Sequence, residues 1–362
     1  ASSMEQRQAR LASVGRTMEE AGGGQLLITD HLSIYYLTGI HVVPMERFWA
    51  LLVTAGGGEV LFANQLFSLG ETGLPTVTMT DGDDPAALVA PYVAPGVLGV
   101  DKGMAARFLL PIMAACGETR VVLGSACVDS VRACKDQAEQ ALMRRASEIN
   151  DLCMEKLAAY LHDGVTERAC AEYLERCYGE YGCEGVSFPP IVSFGANAAD
   201  PHHGPDGTVL REGDCVVIDI GCKKDGYCSD MTRTYFWKRA DPRYAAIHDL
   251  VREANERARA LVRPGVPLRE IDAAARDSIA AAGYGAYFTH RLGHFIGMED
   301  HEQGDVSAVN AAPAEVGMVF SIEPGVYLPG EFGVRIEDLV IVTETGCECL
   351  NQVDRRWRVL GV

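Results

Sequence analysis

The chain has 362 residues, of which 48% are hydrophobic, and it carries a formal net charge of −18 at pH 7. The hydrophobic fraction indicates a globular protein, and the length favours two domains over one. The negative charge argues against nucleic acid and anionic membranes as partners, because both require a basic protein surface.

Cysteine usage and the apolar segments bear on the cellular compartment. No apolar run reaches the roughly 18 residues of a spanning helix, and the first residues lack the basic-then-apolar order of a signal peptide. The twelve cysteines are scattered without a Cys-x-x-Cys pair, whereas secreted disulfide frameworks belong to much shorter chains. We therefore expect no membrane contact and a cytoplasmic location.

Residues 1–135 alternate helix-like and strand-like segments, which predicts an α/β domain. The strand candidates are LLITD, SIYYLTG, ALLVTAGGGEVLFA, VLGVDKG and VVLGS. The two glycine runs in this part of the chain lack the spacing of a phosphate-binding loop, so turns are the better interpretation. A long amphipathic segment then runs from Ser130 to about Leu161, and we expect the second domain to comprise residues 136–362.

The most informative stretch is VVIDIGCKKDGYCSDMTRT, residues 216–234. Its apolar first run and its β-rich second run, separated by Lys-Lys-Asp-Gly, predict a β-hairpin. Pairing that is symmetric about these four residues would place Asp219 opposite Asp230, with Cβ atoms about 4.5–5.5 Å apart. Two acids so placed indicate either a cation-binding site or, as the alternative, an exposed acidic hairpin.

The second domain also repeats itself. The segment GDCVVIDIG at 213–221 aligns with GMVFSIEPG at 317–325, and a helix-like segment precedes each copy. The acids at matching places are Asp219 with Glu323 and Asp230 with Glu337. The repeat predicts two half-domains about a pseudo-twofold axis with four acids at its centre. Buried carboxylates need compensation, and two divalent cations would supply +4 against −4.

Five of the nine histidines lie in two short stretches, ADPHHGP and THRLGHFIGMEDHE. The second stretch, which contains His290, His294 and His301, comes just before the second pair of acids. This clustering suits one imidazole as a metal ligand and the others as groups that act on substrate.

With these residues, the second domain resembles the pita-bread metallopeptidases: methionine aminopeptidase, aminopeptidase P and prolidase. The stretch IYYLTGIHVVPMERFWALLV resembles the creatinase-type domain that precedes the catalytic domain of prolidases and aminopeptidase P. The resemblance implies an α/β creatinase-type domain followed by an α+β pita-bread fold with an internal pseudo-twofold repeat. The family's five-ligand signature, in the contexts IDIG, CSDMTRT, GHFIG, SIEPG and RIED, falls on Asp219, Asp230, His294, Glu323 and Glu337.

The resemblance also implies a role for each ligand. Asp230 and Glu337 would bridge two divalent ions, with Mn²⁺ expected first and Co²⁺ or Zn²⁺ as alternatives. Asp219 would bind one ion, and His294 with Glu323 would complete the other. A metal-bridging hydroxide would attack the scissile carbonyl, while Glu323 serves as general base and then as general acid.

Further residues are implied to act on the substrate. His202 matches a histidine near the scissile amide, and His301 matches one that holds the carbonyl or its oxyanion. Neighbouring His203 is expected only to be exposed by the same loop. The remaining substrate-side residues implied by the resemblance are His290, Arg335 and His41.

The two-domain arrangement implies a peptide substrate with proline after the scissile bond. His41 matches a histidine on a loop that closes the partner subunit's site in prolidases of this size, which implies a homodimer and favours dipeptides. Asp305 of HEQGD stands where some prolidases have an arginine for the dipeptide carboxylate. A longer Xaa-Pro peptide, as in aminopeptidase P, is therefore the alternative.

The resemblance to this fold family also includes three other functions. Creatinase and the silent binding modules of this fold lose the metal ligands, which all stand in this sequence. A metal-dependent pita-bread hydrolase of a non-peptide substrate stays open.

Overall fold

The computed structural model describes residues 3–362, which divide after Arg132 into two compact units. The helices and strands of the N-terminal unit are α1 (Met4–Glu20), β1 (Gln25–Ile28), α2 (His31–Thr38), β2 (Trp49–Thr54), β3 (Glu59–Asn64), β4 (Thr76–Met79), α3 (Pro85–Val89), β5 (Gly96–Val100), α4 (Ala106–Ala115), β6 (Thr119–Leu123) and α5 (Ala126–Ala133). The strands form a mixed sheet in the order β4-β3-β2-β1-β5-β6. Leu27, Leu52 and Phe62 lie in its core.

Helix α2 contradicts the strand that the sequence predicted at SIYYLTG. The side chain of Asp30 caps the helix by accepting a hydrogen bond from the backbone N–H of Ser33, and Gly39 ends it at a φ of 77°. Its apolar residues are buried on several sides of the helix, so their spacing shows no helical stripe. The β-branched and aromatic composition therefore outweighed the cap signals in the prediction.

The C-terminal unit contains the repeat. Its helices and strands are α6 (Gln137–Tyr160), α7 (Glu167–Glu180), β7 (Gly185–Val186), β8 (Ile191–Phe194), β9 (Cys215–Ile220), β10 (Cys222–Lys224), β11 (Tyr227–Cys228), β12 (Met231–Trp237), α8 (Pro242–Leu261), α9 (Leu268–Ala281), β13 (Gly293–Phe295), β14 (Glu302–Val306), β15 (Val319–Ile322), β16 (Gly325–Leu328), β17 (Phe332–Arg335), β18 (Asp338–Val342), β19 (Cys347–Cys349) and β20 (Val359–Leu360). Short 3-10 helices in the chain span Gln65–Phe67, Ala90–Tyr92, Gly195–Ala199 and Gly285–Tyr287.

Each half of this unit joins a helix pair to an antiparallel ladder. Helices α6 and α7 pack with the β9–β12 ladder, and α8 and α9 pack with the β15–β18 ladder. The two ladders meet where Thr232 and Glu337 exchange backbone hydrogen bonds of 3.3 and 3.1 Å. None of the helices within residues 3–362 is long and apolar enough to cross a membrane.

The register of the first ladder differs from the prediction. Asp225 and Gly226, with φ values of 51° and 84°, form a two-residue turn of the type that favours tight hairpins. The ladder consequently pairs Asp219 with Thr232, not with Asp230. The predicted pairing was wrong because it counted four residues in the turn. Asp230 lies two residues from Thr232, so strand alternation still directs its side chain to the face of Asp219.

Strand alternation also places the core residues and the site residue of β9 on opposite faces. Ile218 and Ile220 of β9 pack into the core that α6 and α7 cover. Asp219, between them, points to the opposite face. A ladder buried on both faces can therefore carry an acid in an otherwise apolar run.

His248 of α8 predicts a pH-dependent contribution to stability. It is fully buried, its Nε2 donates to the Thr234 carbonyl at 2.9 Å, and burial lowers its pKa from 6.5 to about 4. A depressed histidine pKa stabilises the fold above pH 6.5, and this contribution is lost as the pH falls towards 4. Between pH 7 and 4.5, metal-free wild type should lose roughly 2 kcal/mol more unfolding free energy than His248→Gln.

Urea unfolding of both proteins in EDTA at the two pH values measures this difference. The protonation of other groups is common to both proteins and cancels. Equal losses in wild type and variant would contradict the role assigned to His248.

Candidate metal centre

Four of the five predicted ligands converge in the C-terminal unit. The ligand atoms of Asp230, His294, Glu323 and Glu337 all lie within 4.8 Å of one another. His294 Nε2 is 3.1 Å from Asp230 Oδ2, 3.5 Å from Glu323 Oε2 and 3.8 Å from Glu337 Oε2. The four residues come from both halves of the repeat, so the meeting of the ladders builds the cluster.

His294 is oriented by its own strand, β13, and by the neighbouring strand β15. Its Nδ1 donates to the carbonyl of Phe295 at 3.1 Å, and its backbone N–H donates to Ser321 Oγ at 2.9 Å. A histidine whose Nδ1–H is engaged in this way presents Nε2 as its ligand atom. The nitrogen that faces the three carboxylates is therefore the one that can bind a metal.

Asp219 stands beside this four-residue group and is held by Arg335. Arg335 Nη2 donates to Asp219 Oδ2 at 3.0 Å, and its Nη1 donates to the hydroxyl of Tyr327 at 2.9 Å. The same hydroxyl lies 2.7 Å from His290 Nε2. Tyr327 was missed by sequence reasoning, because its role comes from these contacts across the fold. A Cβ at Gly325 would collide with the Tyr327 hydroxyl.

The carboxylates have unpaired oxygens where a cation would lie. Among residues 3–362, no hydrogen-bond partner reaches the buried Asp219 Oδ1, Asp230 Oδ1, Glu323 Oε2 or Glu337 Oε2. The second oxygen of Glu337 accepts from Thr232 Oγ1 at 2.8 Å. Buried acceptors are rarely left without a partner, and oxygen ligands suit hard divalent cations. The donor set therefore fits divalent metal.

Burial and mutual contact set the protonation of the metal-free cluster. Burial raises the pKa of Asp230 and of Glu337 well above the usual range. Burial opposes a charged His294, but its close contacts with the carboxylates of Glu323 and Glu337 outweigh burial and raise the histidine pKa. The pKa of Glu323 falls despite burial, because its contacts with Glu337 and His294 prevail. These directions favour protonated Asp230 and Glu337 in the metal-free cluster.

His301 lies at the edge of the cluster. Its ring stacks on that of His294, with centroids 3.9 Å apart and an interplanar angle of 8°. His301 Nε2 is 3.2 Å from Asp300 Oδ2. Asp300 was not singled out in the sequence, yet its Oδ1 is buried and has no partner in the described part of the chain. It is a further acid at the edge of the site.

The two histidines of ADPHHGP have different surroundings. His202 is exposed, and none of the metal-ligand groups found in residues 3–362 includes it. His203, expected to be exposed, is instead largely buried and lies 2.8 Å from Glu167 Oε1. The fully buried Glu167 also accepts from the backbone N–H groups of Phe194 and Asp206. Glu167 and His203 thus anchor the loop that carries His202.

His41 belongs to the N-terminal unit. Its ring lies 5.4 Å from that of Tyr35 and 5.7 Å from that of His31, measured between centroids. It therefore forms part of a small aromatic group next to α2.

Comparison with known proteins covers both units. Residues 141–344 match metallopeptidase family M24, and residues 10–134 match the creatinase/prolidase N-terminal domain. An uncharacterised peptidase of Staphylococcus aureus is 36% identical over 337 residues, which cover 91% of this chain and 94% of the relative.

Solved structures agree with these matches. The dipeptidase PepE from Mycobacterium ulcerans has a TM-score of 0.93 and 37% identity, with 99% of each chain covered. The prolidase from Thermococcus sibiricus has a TM-score of 0.91 and 33% identity, over 99% of this chain and all (100%) of that one.

The chain belongs to metallopeptidase family M24. The predicted fold, a creatinase-type domain followed by a pita-bread domain with an internal repeat, is confirmed. The protein is a hydrolase of this family, and its buried acid and histidine cluster fits the divalent metal on which such peptidases depend.

Metal binding should release protons. Asp230, Glu337 and His294 have raised pKa values in the metal-free protein, so Mn²⁺ must displace protons from them. We expect the apparent affinity for Mn²⁺ to weaken as the pH falls from roughly 8 to 6. Calorimetric titration in two buffers of different ionisation enthalpy should give different binding enthalpies. Identical enthalpies in both buffers would show that the cluster is already deprotonated.

Proposed function

We propose that the protein is a dinuclear-metal peptidase that hydrolyses the Xaa-Pro bond of dipeptides. The observation that carries this proposal is the meeting of three carboxylates around His294 Nε2, with Asp219 beside them. Within the described chain, each of the four acids has one buried oxygen without a hydrogen-bond partner. The similarity of the whole chain to a dipeptidase and a prolidase supports the substrate class. We assign the chemistry to residues 136–362 and treat residues 1–135 as the accompanying domain.

The residues fit two ions better than one. Four carboxylates supply a charge of −4, which two divalent cations balance. Asp230 and Glu337 would hold both ions, Asp219 would hold one, and His294 with Glu323 would hold the other. We expect Mn²⁺ first, with Co²⁺ or Zn²⁺ as alternatives. When bound, the ions would polarise the scissile carbonyl and lower the pKa of the attacking water.

Glu323 is the group best placed to move protons. Its side chain is 19% exposed, compared with 12% for Asp219, 4% for Asp230 and 1% for Glu337, so water reaches it most easily. Glu323 Oε2 would take a proton from the attacking water and deliver it to the proline nitrogen as the C–N bond breaks. The nitrogen of an Xaa-Pro bond carries no hydrogen, so this delivery completes the leaving amine.

Two histidines would act on the substrate. His301 stands against His294 and would donate a hydrogen bond to the oxyanion that forms at the scissile carbonyl. His202 would contact the substrate near the amide from the loop that Glu167 and His203 anchor. His290 and Arg335 would line the substrate side through their shared contact with Tyr327.

We further propose a homodimer in which the loop carrying His41 contacts the partner subunit. Two apolar side chains close to His41 in sequence, Val43 and Met45, are 58% and 77% exposed. Exposed apolar side chains so close together are typical of contact surfaces. Closure by such a loop would favour dipeptides over longer chains.

A cytoplasmic location is consistent with the cysteines. All twelve cysteines, which lie within the described residues, are free thiols, and several are buried in the cores. Proteins of reducing compartments keep their cysteines in this form.

The alternative is an aminopeptidase P that acts on longer Xaa-Pro peptides. Asp305 favours it, because an acid near the position of a dipeptide carboxylate would repel that carboxylate. A panel of Xaa-Pro, Xaa-Pro-Yaa and Xaa-Ala peptides with Mn²⁺ distinguishes the two activities.

Removal of metal should abolish hydrolysis of an Xaa-Pro dipeptide. We expect EDTA to eliminate turnover and Mn²⁺ or Co²⁺ to restore it, because the carboxylates alone offer no electrophile. Asp219→Asn should lose both bound metal and activity while its circular dichroism matches wild type. Unchanged turnover in EDTA would refute the metal mechanism.

His202→Ala should keep its metal but slow turnover by roughly 10²- to 10³-fold, because the variant loses a substrate contact and no metal ligand. His162→Ala is the matched control, since His162 is also an exposed histidine of the C-terminal unit and lies in none of the ligand groups found in the described chain. Metal analysis and steady-state kinetics of both variants provide the measurement. Loss of metal from His202→Ala alone would show that its role is misassigned.

A further inference from the structure

The charge of Asp305 is compensated by Arg291. Arg291 Nη1 lies 3.5 Å from Asp305 Oδ2. The other oxygen, Oδ1, accepts from Ser307 Oγ at 3.0 Å and from Asn310 Nδ2 at 3.3 Å. Asp305, which from the sequence alone is expected to repel a dipeptide carboxylate, is therefore held by residues that follow its strand and is paired with a cation.

This pair lies beside the metal cluster. Asp305 is directly opposite His294 in the β13–β14 ladder, and opposed residues of an antiparallel pair project from the same face. Arg291 Nη2 donates to His301 Nδ1 at 3.3 Å, and His301 stacks on His294. One imidazole therefore separates the guanidinium from a metal ligand.

Arg291 keeps capacity for a further partner. Its side chain is 41% exposed, and a guanidinium offers five N–H donors in a planar fork. Its contact with Asp305, at 3.5 Å, is longer than the roughly 2.7–2.9 Å of a charge-assisted hydrogen bond. A carboxylate brought by a substrate could therefore gain a shorter contact than the one Asp305 makes.

Other basic residues around the cluster are already committed. Arg335 is buried against Asp219 and Tyr327. Arg276 makes a two-point contact with the buried Asp272. Both are paired with buried acids, whereas Arg291 is paired with a partly exposed acid and is the most exposed of the three arginines, at 41% against 28% for Arg276 and 4% for Arg335.

We infer that Arg291 binds the α-carboxylate of an Xaa-Pro dipeptide and that Asp305 positions its guanidinium. The inference rests on the proposed function, and it names free-acid dipeptides as the preferred substrate class. A bidentate guanidinium–carboxylate contact supplies both the charge and the orientation that such a substrate needs. Asp305 then acts as a holder of the cation and not as a repelling group.

The test compares Ala-Pro with Ala-Pro-amide, which differ in the carboxylate alone. Mn²⁺-loaded wild type should prefer the free acid by roughly 10- to 100-fold in kcat/KM, the range for a hydrogen bond to a charged group. Arg291→Gln should lose at least about tenfold more for the acid than for the amide, mainly through KM. Arg291→Lys keeps the charge but not the planar fork, so its preference for the free acid should lie between those of wild type and Arg291→Gln.

Position 305 tests the positioning role and supplies a rescue. Asp305→Asn removes the charge that holds the guanidinium but keeps both Oδ1 contacts possible, so it should weaken the preference for the free acid less than Arg291→Gln does. The double variant Arg291→Gln/Asp305→Arg should recover that preference, because it returns a guanidinium to the same edge of the ladder. Metal content and thermal unfolding that match wild type show that each variant is folded and loaded.

Two results would overturn the inference while the proposed function stands. One is equal cleavage of acid and amide by wild type, and the other is an equal loss on both substrates in Arg291→Gln. The second result would show that Arg291 acts only through His301. Hydrolysis of neither substrate by Mn²⁺-loaded wild type would instead refute the proposed function, and the inference with it.

Discussion

The structure of this protein depends on the cost of burying four carboxylates together. Like charges within a few ångströms, removed from water, are tolerated only when protons, hydrogen bonds or cations neutralise them. The protein satisfies one oxygen of Asp219 through Arg335 and one of Glu337 through Thr232. It leaves the other oxygen of each without a partner in the described chain. This division fixes both side chains and keeps one carboxylate oxygen of each available to bind a cation.

Contacts on the opposite face of the duplicated ladder hold these acids in place. Glu337 faces the cluster, while its neighbour Asp338 faces the opposite side and is fully buried against Arg233 at 2.8 Å and Arg355 at 2.7 Å. Burial would raise the pKa of Asp338, but these arginines outweigh it and lower the pKa to about 2. Arg233 also donates to the backbone carbonyls of Thr232 and Glu337 at 2.8 Å. Two acids adjacent in sequence thus have opposite electrostatic roles: Asp338 is structural, and Glu337 is suited to metal binding.

The sequence was sufficient where the signal was local and repeated. The contexts of Asp219 and Glu323 recur, and that recurrence predicted both the internal repeat and the convergence of acids. The hairpin register was missed because it depends on whether two or four residues form the turn, and Asp225 adopts a positive φ that composition alone does not reveal. Tyr327 and Asp300 were missed because their roles come from contacts across the fold and not from spacing. The helix at SIYYLTG was missed because burial on several sides removed its periodicity.

Position 305 illustrates the limit of comparing one position at a time. If only the residue at position 305 is considered, an acid in place of an arginine predicts repulsion of a substrate carboxylate. A substrate, however, responds to where charge lies in space, and a long guanidinium side chain can reach that place from the segment that leads into a neighbouring strand. Asp305 stands across the ladder from His294, and Arg291 reaches it from three residues before that ligand. The formal charge of the pair is zero, and the cation is its more exposed member, at 41% against 32% for Asp305, so an acid at 305 is compatible with recognition of a carboxylate.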